Sequence, residues 1–317
     1  MSRAGFAAIV GAPNAGKSTL TNALVGEKVS IVTHKVQTTR FQIRAIAMLE
    51  TAEGQESQVV LVDTPGIFSP NESDRLAKSM VHAAWTGADD SNLIVHVVDA
   101  PAWLRQAAGE GSAQDRLSVE DTKSVAKGLK KRRSKAYLVL NKVDEIPHEQ
   151  VLPLIAEFSE MEVYSELFMT SARNGEGVKA LSSALAEAMP EGPLLYPTDQ
   201  AADIPSRLMA AEITREKLFL RLHDELPYAS MVETESWKDQ KNGDVRIEQV
   251  IYVRRSSQKP IVLGKQGRTI KDIGASARHD MQDWLGRKVH LFLFVKVREK
   301  WKDDQARYTG MGLEFDV

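Results

Sequence analysis

The sequence predicts an α/β domain built on a doubly wound parallel sheet, followed by a smaller α+β domain. Three observations predict it. Apolar runs of buried-strand length recur through the first half, and each delivers a short polar or glycine-bearing motif at its end. A proline-punctuated stretch then interrupts the periodicity, and the charge changes sign beyond it. At 317 residues the chain exceeds a typical single domain. The boundaries expected are a first domain at 1–189, a linker at 190–206, a second domain at 207–302 and a tail at 303–317.

Composition narrows the chemistry. The absence of cysteine excludes disulfides, iron–sulfur clusters and thiol catalysis. No run approaches the ~18 apolar residues of a membrane span, and no charged leader precedes an apolar core, so a cytoplasmic protein is expected. The formal net charge of −2 conceals an asymmetry: Val250 to Lys302 holds thirteen Lys/Arg against four Asp/Glu. Such a confined surplus is the footprint of an anionic partner.

The first apolar run, Phe6 to Val10, leads into Gly11-Ala12-Pro13-Asn14-Ala15-Gly16-Lys17-Ser18, and Thr19 to Leu24 then reads as a helix start. Strand, glycine loop and helix form the context in which G-x-x-x-x-G-K-S holds a nucleoside triphosphate. The glycines turn backbone N–H groups inward, Lys17 reaches the outer phosphates, and Ser18 offers a hydroxyl to Mg²⁺. Gln37-Thr38-Thr39-Arg40 lies in a polar stretch before the run Ile43 to Leu49 and is expected to be a loop ordered by the γ-phosphate. Thr39 is the expected second Mg²⁺ ligand, with Thr38 the neighbouring alternative.

Gln58 to Val62 delivers Asp63-Thr64-Pro65-Gly66 at a strand C-terminus, where ligands of open α/β sheets bind. Asp63 is expected to hold Mg²⁺ through water, and the Gly66 N–H to approach the γ-phosphate. The next run, Leu93 to Val98, contains His96, read as a packed core histidine, and ends in Asp99. Pro101 to Ser118, rich in Ala, Gly, Gln and Ser, is expected to be a surface insertion.

Tyr137 to Leu140 ends in Asn141-Lys142-Val143-Asp144. Asp144 can accept two hydrogen bonds from guanine's ring N–H and amino group, a donor pair adenine lacks. Asn141 is expected to donate to the opposite edge of the base, and the Lys142 stem to cover its face. Thr170-Ser171-Ala172-Arg173 follows, with N–H groups around Ala172 expected at the guanine carbonyl. These motifs, in this order, resemble the GTPase domains of the translation-factor-related class. The resemblance implies GTP/GDP and Mg²⁺, with Lys17, Thr39, Gly66 and Asn14 as the turnover residues and Thr19, Ile67, Val143, Ser171 and Ala172 among the nucleotide contacts. Ile67 stands where Ras-like proteins orient water with a glutamine, so slow intrinsic hydrolysis is expected. Pro13-Asn14 resembles loops in which an asparagine helps hold K⁺, which implies K⁺ as a further cofactor.

Beyond Pro190, Pro193, Pro197 and Pro205, a helix is expected from Ser206 to Asp224 with Met209, Ile213 and Leu220 on one face. Strands are expected from Met231 to Trp237 and from Val245 to Arg254, with Lys241 to Asp244 as the turn. Ile261-Val262-Leu263, read as a strand, precedes Gly264-Lys265-Gln266-Gly267. A helix from Arg268 follows, with Ile270, Ile273, Ala277, Met281 and Trp284 on its apolar side and Lys271 off it. A final strand runs from Val289 to Arg298, in which Phe292 and Phe294 are candidates for base stacking. Glycines at both ends let the loop backbone approach a nucleic-acid backbone. This is the G-x-x-G signature of a KH domain, and the element order resembles the type II form. It implies RNA contacts at Gly264, Lys265, Gln266, Gly267, Arg268 and Lys271.

One such GTPase domain followed by a single KH domain resembles the Era family of ribosome-assembly GTPases. Arg215-Glu216-Lys217-Leu218 and Glu225-Leu226-Pro227-Tyr228 extend the likeness along the chain. It implies a monomer that binds 16S rRNA near its 3′ end, assists maturation of the 30S subunit, and touches the inner membrane peripherally, although no amphipathic anchor is visible. A nucleotide kinase or ATPase is opposed by Asn141 and Asp144. A membrane-associated or tRNA-modification GTPase lacking RNA affinity is opposed by the loop at Gly264.

Overall fold

The computed structural model describes residues 2–317 apart from His34, Val36, Gln37, Ser73 and Asp224 and the side chain of His148. It divides into two units: Met1–Ser30, Val36–Asp203 and Thr309–Val317 form the first, and Ile31–Lys35 with Ile204–Tyr308 the second.

In chain order the first unit contains β1 (Arg3–Val10), α1 (Lys17–Val25), β2 (Ile43–Glu50), β3 (Glu56–Asp63), α2 (Arg75–Asp89), β4 (Leu93–Asp99), α3 (Ala100–Ala107), α4 (Ala113–Arg132), β5 (Ala136–Asn141), α5 (Val151–Ser159), β6 (Tyr164–Thr170), α6 (Val178–Ala188) and β7 (Ala202–Asp203). The sheet runs β6-β5-β4-β1-β3-β2-β7. Strands β1, β3, β4, β5 and β6 pair in parallel, and β2 and β7 pair antiparallel. The inner strands are almost continuously apolar because helices cover both faces. Leu20 and Leu24 of α1 and Leu181 and Leu185 of α6 close one side. Ala84 of α2, Leu129 of α4, and Trp103 and Phe158 of α3 and α5 close the other. The chain leaves β1 toward opposite edges, so the C-terminal ends of β1 and its neighbours flank a topological switch point.

His96 is fully buried, with Nδ1 2.9 Å from the Tyr164 hydroxyl, and burial pushes its pKa down to about 3. The stretch from Pro101 to Ser118 is largely exposed from Arg105 onward, as expected, but it begins in the core and is helical at both ends. Asp99 caps α3 by accepting the Ala102 N–H at 3.0 Å, and Trp103 enters the core. Ser112 and Asp115 then form a capping box that starts α4. The residue range 190–203 is not a free linker. The Gly192 N–H donates to Ser2 O at 3.0 Å, Leu195 and Tyr196 N–H groups donate to Gln58 Oε1 at 2.7 and 2.9 Å, and β7 pairs with Arg44 and Ala45. In the tail, Phe315 lies 4.2 Å from the Arg75 guanidinium on α2.

The second unit contains α7 (Ser206–Arg221), β8 (Met231–Asp239), β9 (Val245–Val253), α8 (Gln258–Leu263), α9 (Arg268–Leu285), β10 (Val289–Val297) and α10 (Gln305–Gly310), which ends in the first unit's range. Its sheet order is β10-β9-β8, with β8 antiparallel and β10 parallel to β9. Val245, Ile247, Ile251 and Val253 are fully buried, Ala277 and Met281 of α9 pack with Val245 and Ile247, and Ile273 is buried as well. Met209 and Ile213 are buried as expected, whereas Leu220 is 51% exposed because Phe219 takes the core-facing position.

Buried charge also organises α7. The Arg215 Nε donates to Glu212 Oε1 at 2.7 Å, Glu216 Oε1 accepts the Val32 N–H at 3.0 Å, and Lys217 Nζ lies 2.5 Å from Asp280 of α9. Ile261-Val262-Leu263 forms part of α8 rather than a strand: three apolar residues are too few to establish a period, and the Gly264 N–H closes a helical turn on Pro260 O at 2.8 Å. Among the described residues no helix is long and apolar enough to cross a membrane.

Candidate nucleotide site and nucleic-acid interface

The loop Gly11 to Ser18 leaves β1 at the switch point, and Gly16 starts α1 from a left-handed conformation at φ 99°. A side chain on Gly16 would overlap Asn141 Nδ2, so this position needs glycine for close approach as well as for its backbone angle. Lys17 is buried. Its Nζ donates to Gly11 O at 3.1 Å and Ala12 O at 2.9 Å, and burial lowers its pKa to about 8 against the opposing pull of Asp63 and Asp121. Asn14 is half-buried and has φ 63°.

The three residues expected to share a metal converge. The Ser18 hydroxyl donates to Asp63 Oδ2 at 2.7 Å and lies 2.9 Å from Thr39 Oγ1. Asp63 Oδ1 is buried with no hydrogen-bond partner among the described residues, and burial raises the carboxyl's pKa against the Ser18 bond and the Lys17 charge. A carboxylate with one orphaned oxygen, bonded through its other oxygen to the Ser18 hydroxyl that in turn meets Thr39, is a hard-oxygen donor set that fits Mg²⁺. Thr39 is buried and in contact with Ser18; Thr38 is half-buried, and Gln37 lies outside the described residues.

After Asp63, Thr64 Oγ1 donates to Ile9 O at 2.7 Å, holding the D-T-P-G turn against β1. Gly66 faces the phosphate loop so closely that an added Cβ would lie 3.0 Å from Pro13 N and Cα. The Ile67 N–H donates to Gly11 O at 3.0 Å, and its side chain is 2% exposed among Ala8, Val10 and Ala84. The position after D-x-x-G therefore points into the core.

The base-reading loop leaves β5. Asn141 braces three segments: Nδ2 donates to Ala15 O at 2.9 Å, while Oδ1 accepts from Thr170 Oγ1 at 3.1 Å and from the Ala172 N–H at 3.0 Å. The Ala172 N–H expected at the guanine carbonyl is thus paired within the protein, and the Ser171 N–H is paired with Glu176 O. Lys142 turns through a left-handed conformation (φ 65°), and its Nζ meets Asp99 Oδ2 at 2.5 Å. Asp144 is exposed in the short helical turn Val143–Glu145.

Two carboxylates here escaped the motif reading. Asp99 ends an ordinary apolar run, and Asp121 is one of three acids within α4, beside Glu120. Burial pushes Asp121 up to about 6 against a hydrogen bond from the Ser69 backbone. No sequence signal separates Asp121 from other helical acids. Asp99 carried only the helix-start signal of an acid just before Ala100-Pro101.

In the second unit Gly264 has φ 73° and ψ 172°, Gln266 φ 53° and Gly267 φ 73°. A Cβ on Gly264 would lie 2.8 Å from Thr269 N and overlap its hydroxyl, whereas nothing lies within 4 Å of one on Gly267. Lys265, Gln266, Arg268 and Lys271 are exposed at this turn between α8 and α9. Phe292 and Phe294 are 40% and 49% exposed on edge strand β10, and the Arg246 guanidinium lies 4.2 Å from the Phe292 ring.

A phosphate loop and a base-reading loop at the switch point of a doubly wound sheet, joined in one chain to a G-x-x-G helix turn, define a P-loop GTPase carrying a KH domain. Residues 6–142 match the family described as 50S ribosome-binding GTPase, and residues 225–302 match the KH domain. GTPase Era of Maricaulis maris is 57% identical over 315 residues, spanning 99% of this chain and 98% of that protein. The Caulobacter vibrioides GTPase Era is 52% identical over the same shares. The chain belongs to the Era family of GTPases. Two solved structures are similar at 33% identity: an Aquifex aeolicus Era variant bound to GDP·AlF4⁻ (TM-score 0.85; 99% of this chain, 100% of that one) and Era with MgGDPNP and nucleotides 1506–1542 of 16S ribosomal RNA (TM-score 0.86; 100% of each).

Proposed function

We propose that this GTPase is a GTP-controlled clamp for 16S rRNA near its 3′ end, working in the cytoplasm in maturation of the 30S subunit. The observation that carries the reading is the union, in one chain, of a guanine-nucleotide site with an exposed G-K-Q-G turn flanked by Lys265, Arg268 and Lys271. The likeness to an Era structure holding nucleotides 1506–1542 of 16S rRNA supports the choice of RNA.

In this reading Lys17 neutralises the outer phosphates from a buried ammonium, and the phosphate-loop N–H groups orient them. Ser18, Thr39 and Asp63 hold Mg²⁺, which supplies positive charge at the phosphate oxygens. Asp144 selects guanine, while Asn141 braces the phosphate loop against the loop at Ser171 and Ala172. The Thr39 and Gly66 loops order together when a γ-phosphate is present. With Ile67 turned into the core, no side chain at that position orients the attacking water, which supports slow intrinsic turnover.

Asn14 is the residue that would help hold a K⁺ ion, which would supply further positive charge to the phosphates. Equal turnover in K⁺ and Na⁺ buffers, together with an unaffected Asn14→Ala variant, would remove that assignment. The test of the whole reading is crosslinking in cells followed by sequencing of the attached RNA. Recovery of 16S 3′-end fragments supports the clamp, and their absence from GTP-loaded protein overturns it.

A further inference from the structure

Lys142 is held at both ends. Its backbone turns sharply out of β5 in the left-handed region (φ 65°, ψ 34°), which a lysine adopts only where the surrounding structure over-determines it. Its ammonium, four carbons away, is 2.5 Å from Asp99 Oδ2. Asp99 is itself anchored: it is 9% exposed, it pairs with Asn141 in the β4–β5 register, and its other oxygen accepts the Ala102 N–H that starts α3. Each carboxylate oxygen therefore has its own partner, one capping a helix and one tethering the lysine.

We propose that Asp99 is a positioning residue for guanine-nucleotide binding: it holds the Lys142 ammonium so that the aliphatic stem forms a fixed floor for the base. This rests on the reading that Lys142 covers the base. An untethered lysine stem samples many rotamers, and binding a base against it costs the entropy of ordering it; a stem pinned at both ends has lost that freedom before nucleotide arrives. One ammonium N–H is used on Asp99, which leaves two for the nucleotide. The floor touches the face of the base and not its hydrogen-bonding edge. Asp99 therefore sets how tightly purine nucleotides bind, and Asp144 sets which purine is chosen.

The test uses the full-length protein and equilibrium titration with a fluorescent GDP, with IDP as competitor. Asp99→Asn keeps an acceptor for the Ala102 N–H but removes the charge that holds Lys142. It is expected to weaken GDP and IDP binding equally, by about tenfold, leaving their ratio unchanged. Lys142→Met, which keeps an apolar stem without a tether, should weaken both at least as much. Because Asp99 acts through Lys142, adding Asp99→Asn to Lys142→Met should cost less than about twofold more. Asp99→Ser, also a good helix cap, guards against a folding defect in the asparagine variant. The proposal is overturned if both Asp99 variants, folded by thermal unfolding, bind GDP within twofold of the parent. It is equally overturned if the two losses multiply in the double variant, or if the GDP:IDP ratio shifts, since these outcomes mark a general distortion of the loop. An unaffected Lys142→Met would overturn the reading that lysine covers the base and this proposal with it; a weakened Lys142→Met beside two normal Asp99 variants would overturn the proposal alone.

Discussion

Replacing Gly264 by alanine tests the RNA-binding turn through two separable costs. At φ 73° and ψ 172° the backbone lies in a region open essentially to glycine alone, which costs an alanine about 1–3 kcal/mol. Its Cβ would also overlap the Thr269 hydroxyl and sit 2.7 Å from Thr269 Cβ and 2.8 Å from Thr269 N, forcing the first turn of α9 to move. Overpacking of that kind costs about 1–3 kcal/mol more. Gly267 is the internal control: at φ 73° and ψ 17°, with nothing within 4 Å of a new Cβ, Gly267→Ala carries only the left-handed penalty of about 1–2 kcal/mol. The assay is fluorescence anisotropy of a labelled RNA carrying the 16S 3′-end sequence, with GDP affinity measured in parallel. Gly264→Ala should lose more than about thirtyfold in RNA affinity and Gly267→Ala about five- to thirtyfold, while both bind GDP normally. Equal losses in the two variants, or normal RNA binding by Gly264→Ala, would refute the steric argument.

His96 provides a pH prediction. Its folded pKa near 3 lies below the unfolded value, so the unfolded chain takes up the proton first; its contribution is intact above about pH 6.5 and is lost as pH falls toward 3, by about 1.4 kcal/mol per pH unit. Denaturant melts from pH 7 to pH 4 should show a shallower acid slope in His96→Leu than in the parent, and identical slopes would contradict this. Ile67→Gln should not create a fast GTPase: it places a carboxamide at a 2% exposed core position, costing about 1–3 kcal/mol in stability with less than about tenfold change in turnover. Thermal unfolding and single-turnover hydrolysis check the two halves of that statement. Trp301→Ala removes a 1% exposed ring whose Nε1 donates to Ala229 O at 3.0 Å; it should destabilise the second unit by about 3–5 kcal/mol and leave GDP affinity unchanged.

The parts of this protein that were legible beforehand are those where a local pattern is sufficient. Buried strands such as Val59 to Val62 show themselves as continuous apolar runs, and the phosphate loop carries its chemistry in eight adjacent residues. The contact between Ser18 and Thr39 follows from reading both hydroxyls as ligands of one ion. Short elements were harder. The turns of α8 and α3 contain too few apolar residues to establish a period, and their identity comes from caps: Gly264 closing on Pro260, and Asp99 opening onto Ala102. Leu220 was misassigned because Phe219 and Leu220 compete for one face, and only packing decides between adjacent apolar residues. Asn141 as a brace, and Asp99 as a tether, depend on pairings between strands that no spacing along the chain encodes.

The clamp itself is tested most directly by a single comparison, the affinity of the full-length protein for the 16S 3′-end RNA when loaded with a non-hydrolysable GTP analogue and when loaded with GDP. Control by the γ-phosphate predicts binding at least about tenfold tighter in the GTP-like state. Equal affinity in the two states would leave a GTPase and an RNA-binding domain in one chain with no coupling between them, and would contradict the account.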